Sequence, residues 1–280
     1  YSLLRMPHIE PHERCMPILS GRGCTFKCNF CYRMDEGFRP RDIKSIVQEI
    51  EVLKSMYNIN YIAFADELLM AGEKRTLEIC EALEPLAIKW DCNGRLNYAT
   101  EKVITSMKKA GCVFINYGIE ALDNQVLQNI GKCLTVEQIT KGIEITLANG
   151  ISPGFNIIWG NIGDTYDTLI KGRDFLLKYD DQSQLRTIRP VTPYPGCELY
   201  YKAIETGLLD SIEDFYLNKC KNSDLLSVNF TNIPDKEFHH LLFETNKILI
   251  RNYYSKIQLK QIERSEKLYE GDTTFRGFRE

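Results

Sequence analysis

An α/β fold with a parallel sheet is what this 280-residue sequence predicts, on two observations. Six short apolar runs rich in β-branched and aromatic residues recur along the chain, and longer stretches with helical periodicity separate them. Neighbouring runs lie about 30 residues apart, the length of one β–α–β step. Six such steps imply parallel strands, right-handed crossovers and helices on the outside. Fewer than eight strands leaves an incomplete barrel or an open doubly wound sheet. In either arrangement ligands gather at the carboxyl ends of the strands.

The first run, MPILSG, covers 16–21. NYIAFA (60–65), IKWDCN (88–93), VFINYGI (113–119), GFNIIWG (154–160) and LRTIRPV (185–191) follow. In 42–57, Ile43, Ile46, Val47, Ile50 and Leu53 share one stripe, which leaves Lys44, Glu49, Glu51 and Lys54 to solvent. Leu77, Cys80, Glu81 and Leu83 mark a helix before the third run. Another occupies 101–110 and ends at Gly111. Thr135 and Gln138 form a capping-box pair, and that helix ends at Asn149 with Gly150 as the left-handed residue. After 198 the rhythm changes. Phe238, Leu241, Leu242, Thr245, Ile248 and Leu249 outline one long helix from Pro234 to about Glu266. The chain thus divides into an N-terminal linker (1–15), a core (16–209) and a C-terminal helical extension (210–280).

Apolar residues make up 44% and charged residues 26%, ordinary for a globular protein with a sizeable core. The net charge of −3 and the absence of a like-charge block give no nucleic-acid signal. No apolar run reaches membrane-spanning length, and the N-terminus lacks the apolar core of a signal peptide. The chain does not begin with Met, so residues or a whole domain are expected upstream. Ten cysteines are too few for a disulfide framework, and a reducing, cytoplasmic setting is the expectation. Cys80, Cys92, Cys112, Cys133, Cys197 and Cys220 stand singly and read as buried thiols.

Three cysteines differ. Cys24, Cys28 and Cys31 follow the first run as C-x₃-C-x₂-C, at the rim where function is expected. An odd number leaves a disulfide with one thiol over. Structural zinc takes four protein ligands, usually as two pairs, and no second pair or nearby histidine exists. A ferredoxin-type cluster also takes four cysteines. Three thiols leave one coordination position open unless Cys15 or a distant cysteine fills it.

The triplet, with Phe30 before its last cysteine, resembles the motif of the radical S-adenosylmethionine (SAM) superfamily. Further stretches match in order. Ser20 to Gly23 precedes the triplet, and Phe64-Ala-Asp-Glu67 closes the second run. Gly118-Ile-Glu120 resembles the family's fourth-strand glutamate motif. GFNIIWGNIGDT (154–165) is similar to its G-x-I-x-G segment, and Thr192 to Gly196 with the following Cys-Glu-Leu-Tyr to its "PYPGTELY". The set resembles the branch associated with cobalamin-binding members and runs from Met16 to Leu209.

The resemblance implies a partial (β/α)₆ TIM-like barrel with a C-terminal helical extension. It implies a [4Fe–4S] cluster on Cys24, Cys28 and Cys31, with SAM on the fourth iron. Reductive cleavage of SAM would give a 5′-deoxyadenosyl radical that modifies an organic substrate, by methylation, cyclisation or another rearrangement. Asp66 and Glu67 would meet the SAM amino group, although the family's common form there is Gly-Gly-Glu. Taken alone, Glu67 equally suits a helix start. Arg95 would fork onto the SAM carboxylate or a substrate acid, or be a solvated loop residue. Glu120 would bond the ribose or amino group. Asn156, Ile158 and Gly160 would face the adenine, and Tyr194 would pack on adenine or substrate. Flavodoxin or ferredoxin is the implied reductant. Cobalamin is compatible, but the Asp-x-His-x-x-Gly signature of its binding domain is absent from this chain. YSLLRMPHIEP resembles the linker that follows such a domain, which would then lie N-terminal. A non-catalytic iron–sulfur module for electron transfer or redox sensing is the alternative, and a zinc-stapled binding protein a third reading.

Overall fold

The computed structural model describes residues 8–10, 12–32, 37–222, 225–226 and 228–269. The chain opens with β1 (Cys15–Ile18), then a hairpin of β2 (Gly21–Cys24) and β3 (Gly37–Pro40). It continues as α1 (Ile43–Tyr57), β4 (Tyr61–Phe64), α2 (Glu73–Leu83), β5 (Lys89–Gly94) and α3 (Glu101–Lys109). Next come β6 (Cys112–Glu120), α4 (Asn124–Asn129), α5 (Val136–Ala148), β7 (Ser152–Trp159), α6 (Tyr166–Tyr179) and β8 (Arg189–Pro190). Helices α7 (Glu198–Glu205), α8 (Ile212–Asp214) and α9 (Asp235–Tyr269) follow.

Six strands form one curled half-barrel in the order β1-β4-β5-β6-β7-β8, every pair parallel. The order is sequential because each crossover helix returns the chain beside the strand it left. Local chemistry places the helix ends. The Asp42 carboxylate accepts from the Ser45 N–H at 3.0 Å to start α1. The Thr135–Gln138 capping box starts α5. Gly111 (φ +94°) and Gly150 (φ +66°) take the left-handed turns that end α3 and α5. Between sheet and helices, Ile46, Ile50, Ile62, Trp90, Ile104, Ile115 and Ile143 are almost wholly buried. Helix α9 lies across the last strands, its Phe238 ring stacked on Trp159 at 4.4 Å between centroids.

Two strands are shorter than the apolar runs suggest. The first run continues to Gly21, yet β1 stops at Ile18. Both Asp66 carboxylate oxygens accept the Ser20 N–H, at 3.0 and 2.9 Å, and Oδ1 also accepts the Ser20 hydroxyl. That pull takes the chain off the sheet and into the hairpin. The sixth run covers 185–191, but only Arg189 and Pro190 pair as a strand. Ahead of them, the Ile188 N–H donates to Asn246 Oδ1 (2.8 Å) and its carbonyl accepts from Asn246 Nδ2 (2.9 Å). The side-chain amide of α9 thus replaces a neighbouring strand. Arg186 is held by Asp180 (2.9 Å) and Asp181 (2.7 Å).

Of the single cysteines, Cys80, Cys92, Cys112 and Cys197 are buried as expected. Cys133 is a correction: it is exposed, on a left-handed backbone turn (φ +51°) that faces it away from the core. The side chain of Cys220 lies outside the described part of the structure. Cys15 is buried at the amino end of β1, the pole opposite the triplet, and burial pushes its thiol up to about 12. Among the described residues no helix is long and apolar enough to cross a membrane. Replacing Asn246 by Leu should leave both Ile188 backbone groups unsatisfied and lower stability by about 1–3 kcal/mol. Urea denaturation with an unchanged m-value would show it.

Candidate functional site

At the carboxyl end of the half-barrel, Cys24, Cys28 and Cys31 line one pocket together with Glu67, Arg95, Glu120, Lys132 and Asn156. The space between them, open to solvent, is about 710 Å³. Cys24 ends strand β2, and the other two lie on the loop beyond it. That loop is pinned from both sides. The Asn29 N–H donates to the Ile130 carbonyl (3.1 Å) at the end of α4, and the Leu199 N–H of α7 donates to the Asn29 carbonyl (2.9 Å). The Cys31 N–H closes a turn onto the Cys28 carbonyl at 3.2 Å.

Desolvation raises the Cys28 thiol above its ordinary value, and the nearby Lys132 and Arg95 cations partly oppose that shift. The Cys31 thiol is pushed up to about 11, first by desolvation and then by Cys28 and Cys24. A metal cation displaces such protons on binding. Among the described residues, no three His, Cys, Asp or Glu side chains converge as ligands of a single ion.

Glu120 ends β6 at φ +68°, a left-handed conformation that a non-glycine residue holds only when its surroundings require it. A break in register between Gly118 and Glu120 produces this turn. The carboxylate meets Lys132 Nζ at 2.9 Å, both side chains about nine-tenths buried (10% and 8% exposed). Gly118 leaves the room, since a Cβ there would lie 2.4 Å from Glu120 Oε1 and 2.7 Å from Lys132 Nζ. Arg95 packs its guanidinium over the Phe26 ring, 3.5 Å from the centroid, and donates to the Lys132 carbonyl. Its Nε is buried without a partner.

The pocket floor is a row of amides. Asn93 donates to the Asp66 carbonyl (2.7 Å), Asn116 to Asn93 Oδ1 (3.0 Å), and Asn156 to Asn116 Oδ1 (2.9 Å). Strand register aligns them, with Asn93 opposite Asn116 and Gly118 opposite Asn156.

Seven of the residues singled out from sequence therefore meet: Cys24, Cys28, Cys31, Glu67, Arg95, Glu120 and Asn156. Four do not line this pocket. The buried Asp66 is committed to Ser20, and burial raises its pKa. Gly160 (φ +104°) gives its N–H to Asp164 Oδ2 (3.0 Å), and the flat ring it admits belongs to Phe238, which a Cβ at this position would approach to 2.9 Å. Ile158 leans toward the cluster around Val191 and Tyr200. Tyr194 is 41% exposed, with its ring 5.9 Å from Phe215. Sequence reading missed Asn93, Asn116, Lys132 and Phe26. The first two carried a signal: polar residues recurring inside otherwise apolar strands. Lys132 sits in a loop without any pattern.

The pattern of the Radical SAM superfamily matches residues 18–176, more than half the chain. An uncharacterised methyltransferase of Pyrococcus horikoshii is 30% identical over 197 residues, 69% of this chain and 42% of its own length. The anaerobic magnesium-protoporphyrin IX monomethyl ester cyclase of Rubrivivax gelatinosus is 30% identical over 204 residues, 71% of this chain and 36% of the cyclase. Among solved structures, the radical SAM methyltransferase TsrM of Kitasatospora setae, with cobalamin and a [4Fe–4S] cluster bound, superposes with a TM-score of 0.61. It is 16% identical, covering 69% of this chain and 40% of TsrM, a likeness of fold. The chain spans less than half the length of these relatives.

Removing Lys132 alone should strand a buried carboxylate. Lys132→Met is expected to cost about 3 kcal/mol, and Lys132→Met with Glu120→Gln to recover most of it. Chemical denaturation of the two single variants and the double variant measures the coupling.

Proposed function

This chain belongs to the radical SAM superfamily, and from that premise we propose that its pocket binds a [4Fe–4S] cluster and SAM to start radical chemistry on an organic substrate. One observation carries the reading: three thiols and a set of charged side chains face the same space at the carboxyl ends of the strands. Relatives of the chain are named methyltransferases and cyclases, so it is an enzyme.

The residues present fit the group. The described residues that line the pocket include three cysteines and no histidine, so a four-iron cluster there keeps one iron for an outside ligand. When bound, the cluster and SAM would supply the hard chemistry, reductive cleavage of the sulfonium and removal of a hydrogen atom from substrate. The protein's part is positioning. Glu67 and Glu120 offer carboxylates to the SAM ammonium or ribose. Lys132 and Arg95 lie close enough to Cys28 to favour its thiolate, and they would attract a carboxylate. The apolar faces of Phe26, Phe30 and Leu68 exclude water from one side of the pocket.

Methylation and cyclisation are the outcomes the relatives' names support. Cobalamin, bound in TsrM, would reach this pocket from a domain outside the present chain, and flavodoxin or ferredoxin would deliver the electron. The electron-transfer alternative requires a fourth protein thiolate, and Cys15, the nearest in sequence, is buried at the opposite pole.

Anaerobic reconstitution should yield about four irons per chain. The reduced EPR signal should change on adding SAM, and 5′-deoxyadenosine should accumulate. An intact cluster indifferent to SAM, with no nucleoside formed, would refute the assignment. Alanine at Cys24, Cys28 or Cys31 should each abolish iron retention.

A further inference from the structure

A second chamber adjoins the cysteine pocket, lined by Phe155, Ile158, Gln184, Thr187 and Arg189, with about 660 Å³ of open space. Two residues, Asn116 and Asn156, line both spaces. They are the last two rungs of the amide row, and the direction of that row is not arbitrary.

An asparagine amide has one end that only donates and one that only accepts. At one end of the row, the Asp66 backbone carbonyl can only accept, so Asn93 must present its NH₂ there (2.7 Å). Its oxygen then faces Asn116, which must present NH₂ in turn (3.0 Å). Asn116 Oδ1 accepts from Asn156 Nδ2 (2.9 Å), whose second hydrogen goes to the Tyr117 backbone carbonyl (3.3 Å). Tyr117 C=O is again acceptor-only. Both ends therefore enforce one polarity, and no rung can flip without setting two acceptors face to face. Both donors of Asn156 are used by protein, and its Oδ1 remains as a fixed acceptor at the junction of the two chambers.

We propose that Asn156 Oδ1 is a positioning acceptor for the substrate: it takes a hydrogen bond from a hydroxyl or N–H group of a molecule seated in the second chamber. The chamber selects an organic molecule that carries such a donor near the carbon to be attacked. Three features support this. The acceptor cannot rotate to become a donor, so acceptor-only groups are rejected. The lining is mixed, with Ile158 and Leu185 beside Gln184, Thr187 and Arg189, as a polar organic molecule needs. The shared rungs put the bound donor next to the cysteine pocket, where the radical reading above, on which the substrate role rests, places the reacting nucleoside.

Paired solvent soaks of crystals test it without knowledge of the substrate. Isopropanol carries a hydroxyl donor, and acetone has the same shape without one. Isopropanol is expected in the second chamber with its oxygen within hydrogen-bond distance of Asn156 Oδ1, and acetone absent from that position. Asn156→Leu should lose the isopropanol while the Asn93–Asn116 bond stays. Acetone at equal occupancy, isopropanol bound elsewhere only, or isopropanol retained in Asn156→Leu would each overturn the proposal. Deoxyadenosine release from SAM, measured on the same protein, reports the radical reading separately. Nucleoside without donor selectivity removes this proposal alone. Donor selectivity without nucleoside upholds the acceptor and removes the radical reading.

Discussion

Parallel register across β5, β6 and β7 is the constraint on which the site depends. Side chains alternate between the two faces of a strand, so one register sends Asn93, Asn116, Gly118 and Asn156 to the same concave face. A slip of one residue would point those amides at the helices and turn Cys92, Ile115 and Tyr117 inward. The apolar layer between sheet and helices forbids that slip, since all three are buried there. The hydrophobic core therefore aims the polar residues. The amides in turn satisfy one another across the strands, which lets a polar layer persist inside a barrel.

On that floor the charged groups are arranged so that most are already answered. Glu120 and Lys132 pair, and Arg95 lies flat on Phe26 while holding the Lys132 carbonyl. Such a pair adds little stability by itself, because desolvation offsets most of its attraction. Its value lies in fixed direction: the turn at Glu120, the space left by Gly118 and the loop carrying Lys132 all hold one geometry. Preorganised charge of this kind costs no rearrangement when a charged ligand arrives.

Much of this was legible in the residues. The six strands, their parallel direction and the main crossover helices followed from periodicity and from capping signals such as Thr135 with Gln138, whereas the half-barrel rather than a doubly wound sheet followed only from the resemblance to the family. Three further readings mislead, and one residue escapes notice, for identifiable reasons. An apolar run shows that residues are buried and not which partner their backbone finds, so 185–191 looked like a full strand although Asn246 takes the place of one. Asp66 and Glu67 are neighbours in sequence, and only the fold separates the tether to Ser20 from the pocket wall. The glycine at 160 signals a close approach without saying what approaches. Lys132 carries no local pattern because its meaning comes from a partner twelve residues earlier, on another element.

The amide that clasps Ile188 has a mechanical side. Asn246 sits about a third of the way along α9, a 35-residue rod roughly 50 Å long. Because it grips both the N–H and the C=O of Ile188, it fastens the entry to the last strand to the rod, which Phe238 on Trp159 and Asn252 on Asp180 (3.3 Å) fasten at other points. A tilt of that strand by a few degrees, at the unpaired edge where the half-barrel opens, would be magnified at the rod's far tip. Spectroscopic labels at the two ends of α9 would thus register the breathing of the barrel mouth as a displacement larger than the one at the mouth itself.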